Sequence, residues 1–158
     1  MIKQLLYFAY GSNLLEQRLT NRVGKVTVYG TYVLQDYELY ITPVGWADIR
    51  PKKDSTVEGV LYILTPFQFS ILDRYEACYI KEYFTVNDIL TGVYTYHPSL
   101  STEFPNRLAA PEYIDCIISG AINFGLEDTA EKMIKYKEAL LVRKKKSKRL
   151  MELKMHLI

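Results

Sequence analysis

The hydrophobic and polar positions divide the chain into a strand-rich front and a helical end. The front two-thirds is rich in β-branched and aromatic residues that turn signals interrupt, whereas the last third shows helical spacing. Residues 4–9 form an apolar run of strand length, which is typical of a strand buried on both faces. This order of elements predicts an α+β fold.

Five further segments have the composition of strands, which brings the expected number to six. Their β-branched and aromatic residues lie between clusters of turn-forming residues. We expect a hairpin turn at Thr91-Gly92 between the last two strands. The five segments are 26–33, 37–42, 57–64, 83–90 and 92–97.

Four helices are predicted. Asn13 has the side chain of an N-cap and starts a short first helix. Pro66 opens a second helix of about two turns, and Pro111 opens a third that ends near Gly125. A fourth begins near Asp128 and continues into a basic segment. The third helix carries an apolar face at i, i+3, i+4, i+7 and i+8: Ile114, Ile117, Ile118, Ala121 and Ile122.

Length and composition favour a single folded domain. A chain of 158 residues can bury one sizeable core but not two. Hydrophobic residues make up 49% and charged residues 24%, which excludes a disordered or fibrous protein. We expect a domain over 1–142 and a helical, basic C-terminal extension over 143–158.

The sequence supplies few metal ligands and no membrane span. It contains two cysteines and two histidines, too few for a disulfide framework or a zinc site, so we expect no metal and no cofactor. No apolar run approaches the roughly 20 residues of a membrane span, and the first residues lack a signal-peptide pattern. We therefore expect a cytoplasmic protein without a membrane partner.

The positive charge is concentrated near the end of the chain. Residues 143–149 hold six basic residues and no acidic one. Subtracting these six charges from the net charge of +2 leaves −4 for the rest of the chain. A nucleic-acid-binding domain would spread its basic residues over a docking face, so we do not expect a nucleic-acid partner. A solvated helix end is the plain interpretation, and a contact of this segment with nucleic acid or an acidic partner is the alternative.

The segment Gly11-Ser12-Asn13 follows the buried first strand and precedes a helix. Such a turn exposes backbone N–H groups at the positive end of a helix, where a carboxylate or phosphate can bind. The same residues also suit an ordinary turn with an N-cap. The segment lacks the lysine of a P-loop, the three glycines of a dinucleotide fingerprint and the surroundings of a hydrolase serine.

Glu76 is the candidate acid or base. It lies four residues after Leu72 on the second helix, so the two side chains share a face, and a buried Leu72 would turn Glu76 inward. Burial raises the pKa of a carboxyl towards neutrality, where it can accept and return a proton. The alternative is an exposed glutamate that pairs with Arg74 or Lys81.

These residues resemble the gamma-glutamylcyclotransferase family along most of the chain. The most specific match is the run 7–15, which is similar to the family's substrate-binding loop. Other matches follow in the family's order: 34–37, 57–62, 72–76, and then Pro111, Tyr113 and the stretch 120–126. The resemblance implies a small mixed β-barrel of about six strands with flanking helices. It fades after about residue 140 and leaves the basic segment unexplained.

The resemblance also implies a reaction and the residues for it. A γ-glutamyl amino acid or amine would become 5-oxoproline and a free amine by intramolecular attack, without water or a cofactor. Glu76 would be the general acid and base. The substrate-binding residues would be Tyr7, Tyr10, Gly11, Ser12, Asn13, Leu14, Tyr83 and Tyr113. The partner would be the small γ-glutamyl substrate, and exposed tyrosines on a barrel are compatible with a homodimer.

One departure from the family pattern leaves alternatives open. The family has glycine after the catalytic glutamate, where this chain has Ala77, and alanine disfavours positive φ. Tyr79 stands where a smaller residue is expected and would narrow the pocket. The alternatives are a γ-glutamylamine cyclotransferase with a different leaving group and a non-catalytic binding module on the same fold.

Overall fold

The computed structural model describes residues 3–97 and 108–157. Within these ranges the chain forms a mixed α+β fold, which confirms the predicted class. The elements are β1 (Leu5–Ala9), a 3-10 turn (Ser12–Leu14), α1 (Glu16–Val23), β2 (Thr27–Ile41), β3 (Ala47–Leu64), α2 (Pro66–Tyr75), β4 (Tyr79–Val86), β5 (Ile89–Tyr96), α3 (Pro111–Asn123) and α4 (Glu127–Met155).

The first strand lies at the centre of the sheet, whose order is β2-β3-β1-β5-β4. Strand β1 pairs antiparallel with β3 and parallel with β5. Its side chains from Leu6 to Ala9 are buried, as the apolar run predicts for a strand covered on both faces. The Gly11-Ser12-Asn13 loop therefore begins in the middle of the core, where β1 ends.

The predicted six-stranded barrel is wrong in two details. The segments 26–33 and 37–42 form one long strand, β2, which continues past register shifts at Val28/Gly30 and Gln35/Tyr37. Within the described ranges no ladder joins β2 to β4, so the sheet has five strands and stays open. Residues 47–51 and Thr56 also pair with β2. Because most of 50–56 is polar and exposed, hydrophobic patterning does not reveal this part of the hairpin.

The hairpin turn between β4 and β5 lies at Asn87-Asp88 and not at Thr91-Gly92. Asn87 and Asp88 have φ values of 49° and 64°, and two central residues with positive φ are typical of a two-residue hairpin turn. Thr91 is fully buried inside β5. Gly92 belongs to the same strand, where a Cβ would lie 3.0 Å from the Phe69 ring. Glycine at position 92 is thus explained by close packing against Phe69 and not by a turn.

Helices α2, α3 and α4 begin within one residue of their predicted starts, and the apolar face of α3 needs one correction. Pro66 opens α2 behind a capping box formed by Thr65 and Gln68, and Pro111 opens α3. On α3, Ile114, Ile117 and Ala121 are buried. Ile122 is 61% exposed, so the apolar face of α3 is narrower than the spacing predicted.

Helix α4 continues through the basic segment as far as Met155. Leu140 is its last buried side chain, and the helix beyond it carries the basic segment and several exposed apolar residues. The division into a domain over 1–142 and an extension over 143–158 stays a prediction. Among the described residues, no helix combines the length and apolar composition that a membrane span requires.

Gly120 of α3 fixes the loop that follows β1. A Cβ at this position would lie 2.4 Å from the Leu14 carbonyl carbon and 2.5 Å from the Leu15 nitrogen. Because both are backbone atoms, they cannot move aside as a flexible side chain can. The missing side chain of Gly120 therefore lets α3 press directly against the loop.

We expect Gly120→Ala to destabilise the protein by about 1–3 kcal/mol, because the clash exceeds the ~1 kcal/mol that alanine gains in a helix. Urea denaturation measures the change. Gly30→Ala is the control, since a Cβ there has no neighbour within 4 Å, and it should change stability by less than about 0.5 kcal/mol. Equal effects of the two substitutions would contradict the packing account.

Candidate active site

A cavity of about 260 Å³ lies where the loop after β1 meets the C-terminal end of α2. Aromatic side chains form much of its wall, and its charged groups come from α1 and from the end of α2. The lining residues are Tyr7, Tyr10, Gly11, Ser12, Asn13, Arg18, Arg22, Trp46, Ala47, Tyr75, Glu76, Ala77, Cys78, Tyr79, Tyr94 and Tyr113.

The loop turns tightly after the C-terminal end of β1. The Leu14 N–H donates to the Gly11 carbonyl at 3.0 Å, which closes the 3-10 turn. A Cβ on Gly11 would lie 3.3 Å from Ala47 Cβ, so glycine permits this close approach. Within the described residues, the N–H groups of Gly11, Ser12 and Asn13 have no acceptor. The loop therefore presents hydrogen-bond donors at the cavity.

Asn13 connects the loop to Glu76 and is not the predicted N-cap. Helix α1 begins after Leu15, without a side-chain cap. The Asn13 Nδ2 instead donates to the Tyr7 hydroxyl at 3.0 Å and to Glu76 Oε1 at 3.3 Å. Its Oδ1 accepts from Arg22 Nη1 at 3.4 Å. Asn13 thus joins β1, α1 and the end of α2.

Glu76 occupies the C-cap of α2, one residue after the helix ends. Leu72, four residues earlier, is fully buried, and the Glu76 side chain is only 15% exposed. Its Oε1 also accepts from Arg22 Nη1 at 3.4 Å. The ion pair is therefore with Arg22, and not with Arg74 or Lys81. Lys81 pairs with Asp73 at 2.9 Å.

The environment of Glu76 favours proton exchange. Removal from water raises the pKa of its carboxyl, while the positive charges of Arg22 and Arg18 and the Asn13 hydrogen bond oppose that rise. Glu76 Oε2 has no hydrogen-bond partner within the described residues. No buried polar side-chain atom of those residues lacks a partner, so Oε2 is not sealed in the core. One oxygen is thus held by the protein and the other remains available.

Ala77 does not require the conformation that glycine would permit. Among the described residues, the non-glycine positions with positive φ are Asp36, Asp54, Asn87 and Asp88. Ala77 is not among them, so its backbone does not have the positive φ that alanine disfavours. The departure from the family pattern therefore leaves Glu76 in the cavity.

Two tyrosines, the buried Tyr10 and the partly buried Tyr113, place hydroxyl groups on the cavity wall. The Tyr113 hydroxyl accepts from the Ala47 N–H at 2.9 Å, and burial raises the pKa of Tyr113 to about 12. Tyr10 donates to the Tyr94 carbonyl. The Tyr113 hydroxyl proton has no acceptor in the described part of the chain, so this phenol can donate to a ligand.

The structure brings six of the eight predicted binding residues to the cavity and leaves two elsewhere. Tyr83 is 51% exposed and lies near the Lys81 ammonium, outside the cavity. Leu14 is fully buried and offers its carbonyl to the Tyr62 hydroxyl at 3.3 Å. Tyr79, four residues before Tyr83 on β4, is about 13 Å away along an extended strand, and it is the tyrosine that lines the cavity.

Several residues that line the cavity were not predicted from the sequence to belong to the site. Arg18 and Arg22 had the clearest signal, since they lie four residues apart on α1 and share a face next to the loop. Trp46, Tyr75 and Tyr94 come from separate parts of the chain, and only folding brings them together. In the described ranges, no group of three or more metal-ligating side chains occurs, so we assign no metal ligand.

Comparison with known proteins places this geometry in a family. The sequence profile described as "Gamma-glutamyl cyclotransferase, AIG2-like" matches residues 7–113. A Bos taurus protein named gamma-glutamylcyclotransferase is 30% identical over 138 residues, covering 78% of this chain and 73% of the bovine protein.

Solved structures agree with this match. One titled gamma-glutamyl cyclotransferase has a TM-score of 0.64 and 25% identity, covering 87% of this chain and 86% of its own. A crystal structure of an uncharacterised Homo sapiens protein has a TM-score of 0.62 at the same identity and coverage. A solution structure from Arabidopsis thaliana, with a TM-score of 0.52 and 16% identity, shares the fold.

We expect Arg22→Gln to raise the pKa of the Glu76 carboxyl, because a positive charge that favours the ionised form is lost. Carbon-13 NMR of the glutamate carboxyls during a pH titration measures the change. Arg22→Lys keeps the charge and should shift this pKa less, and Arg74→Gln, at an exposed position outside the cavity, should leave it unchanged. An unchanged pKa in Arg22→Gln would contradict the electrostatic account.

Proposed function

Because the chain belongs to the AIG2-like gamma-glutamyl cyclotransferase family, we propose that it converts γ-glutamyl amino acids or amines into 5-oxoproline and the free amine. The observation that carries this proposal is the Glu76 carboxylate beside the loop after β1, with one oxygen held and the other available. The reaction needs neither water nor a cofactor, so the protein's tasks are orientation and proton transfer.

Glu76 is proposed to move the proton of the reaction. Its carboxylate first takes a proton from the substrate's α-ammonium group, which frees the amine as the nucleophile. A bond then forms between this nitrogen and the γ-carbonyl carbon, and the bond from that carbon to the leaving nitrogen breaks. Glu76 returns the proton to the departing nitrogen, so it ends the cycle as it began. The attacking nitrogen gives up its second proton as the lactam forms, and the released amine takes up this proton as its ammonium form.

The raised pKa of Glu76 suits both halves of this cycle. A carboxylate with an ordinary pKa is a weak acid catalyst near neutral pH because it is almost fully ionised. Burial favours the protonated form, and Arg22 with Asn13 keeps the ionised form accessible. The balance between these effects supports a side chain that accepts and returns a proton.

The cavity also offers groups for the charges that develop on the carbonyl oxygen. The N–H groups of Gly11, Ser12 and Asn13 have no acceptor within the described residues, and the Tyr113 hydroxyl can donate. Donors fixed by the fold stabilise an oxyanion without having to reorganise during the reaction. These groups are proposed to bind the substrate or its tetrahedral intermediate.

A non-catalytic binding module would share the fold, and the position of Glu76 argues against it. That alternative expects an exposed glutamate in a surface ion pair. Glu76 is instead 15% exposed, and its ion pair lies against the loop after β1. The absence of positive φ at Ala77 removes the other argument for a disabled site.

We expect Glu76→Gln to lower kcat for 5-oxoproline release by about 10²- to 10⁴-fold, because glutamine keeps the shape but cannot transfer the proton. Chromatographic detection of 5-oxoproline, from a panel of γ-glutamyl amino acids and amines, measures the rate. Glu82→Gln, at an exposed position on β4, is the matched control and should retain the native rate. Comparable activity in Glu76→Gln and native protein would refute the assigned role.

Ala77→Gly should change kcat by no more than about twofold, because the backbone at this position does not need glycine's freedom. The same assay measures it, and thermal denaturation of the variant checks that the fold is intact. A large gain in kcat on introducing glycine would indicate that Ala77 holds Glu76 in a poor geometry.

A further inference from the structure

The cavity carries one more positive than negative side chain. Its arginine and carboxyl side chains are Arg18, Arg22 and Glu76, all of them within the described ranges. Arg22 lies 3.4 Å from Glu76, so these two opposite charges match each other. Arg18 also acts on Glu76 through its charge, but no carboxylate of the described residues contacts it.

The Arg18 side chain makes a single hydrogen bond within the described residues. Its Nε donates to the Ser12 hydroxyl at 3.1 Å, and Ser12 is uncharged. No carboxylate of the described residues forms an ion pair with Arg18. The two terminal nitrogens, which form the fork that binds carboxylates in bidentate fashion, are therefore uncommitted.

The position of Arg18 identifies the kind of ligand. A charged group removed from water needs a counter-charge, and Arg18 is partly buried in the cavity wall. Ser12 both holds Arg18 and lies in the loop whose N–H groups have no acceptor. Guanidinium and loop amides thus converge on one region, which suits a carboxylate better than a neutral or cationic group.

We propose, on the basis of the cyclotransferase function proposed above, that Arg18 binds the α-carboxylate of the γ-glutamyl group. With that carboxylate held at Arg18 and Ser12, the neighbouring α-amine reaches Glu76 on the other side of Asn13. Arg18 then acts as the residue that recognises the glutamyl moiety, while Arg22 remains the partner of Glu76.

Two carboxylates can compete for Arg18, since a γ-glutamyl amino acid carries one on the glutamyl group and one on the leaving amino acid. The second would sit on the far side of the scissile bond from the α-amine. The product 5-oxoproline retains only the glutamyl carboxylate, and 2-pyrrolidinone is the same ring without it. Binding of these two molecules therefore tests whether Arg18 recognises the glutamyl carboxylate, in the absence of the carboxylate of the leaving amino acid.

The first experiment measures binding, which does not depend on turnover. Calorimetry of 5-oxoproline with native protein and Arg18→Gln should show weakening on the order of 10- to 100-fold in the variant. Arg18→Lys should fall between them, because it keeps the charge without the fork. Arg74→Gln is the control for an exposed arginine and should bind as the native protein does. Any binding of 2-pyrrolidinone should be equal in native protein and Arg18→Gln.

The second experiment compares γ-glutamyl-alanine with γ-glutamyl-ethylamine, whose leaving groups differ by one carboxylate. Arg18→Gln should raise KM for both substrates by a similar factor. A rise for γ-glutamyl-alanine alone, with unchanged 5-oxoproline binding, would assign Arg18 to the leaving group and overturn the proposal. Failure of native protein to bind 5-oxoproline would overturn it too.

The two proposals can fail separately. If native protein releases 5-oxoproline and Arg18→Gln binds it as tightly, the assignment of Arg18 is wrong and the cyclotransferase function stands. If 5-oxoproline binds through Arg18 but no γ-glutamyl compound is converted, the carboxylate site stands and the proposed catalysis fails.

Discussion

Removing the Glu76 carboxylate from water costs free energy, and the surrounding structure limits that cost without abolishing it. Asn13 and Arg22 both contact Oε1, at 3.3 and 3.4 Å. These contacts require the loop after β1, the second turn of α1 and the end of α2 to meet at one point. The open five-stranded sheet provides this meeting point because β1, its central strand, carries the loop out of the core.

Helix α3 packs against the opposite side of the loop and holds it in place there. Gly120 allows the helix to touch the Leu14 and Leu15 backbone, and Tyr113, at the start of α3, binds the Ala47 N–H. A loop pressed between a central strand and a helix is held at the wall of the cavity, which its residues Gly11, Ser12 and Asn13 line. Stability and function are therefore linked, since the residues that hold the loop also shape the site.

The sequence predicted the features that depend on local pattern. The apolar run of β1 and the proline starts of α2 and α3 follow from spacing or backbone chemistry. For Glu76 the spacing from Leu72 gave an inward orientation as one of two alternatives, and the structure shows this one. Contacts between residues that are distant in the sequence could not be predicted from local pattern. Arg22 as the ion-pair partner of Glu76 depends on how α1 packs beside α2, and Tyr83 was misplaced because strand register decides which tyrosine reaches the cavity.

A crystal structure of the protein with 5-oxoproline would test the central claim most directly, because the ring nitrogen marks the position of the substrate's α-amine. We expect this nitrogen within about 3 Å of a Glu76 carboxylate oxygen, with the 5-oxoproline carboxylate bound by Arg18 and the loop N–H groups. A ligand bound in the cavity with its ring nitrogen turned away from Glu76 would contradict the account.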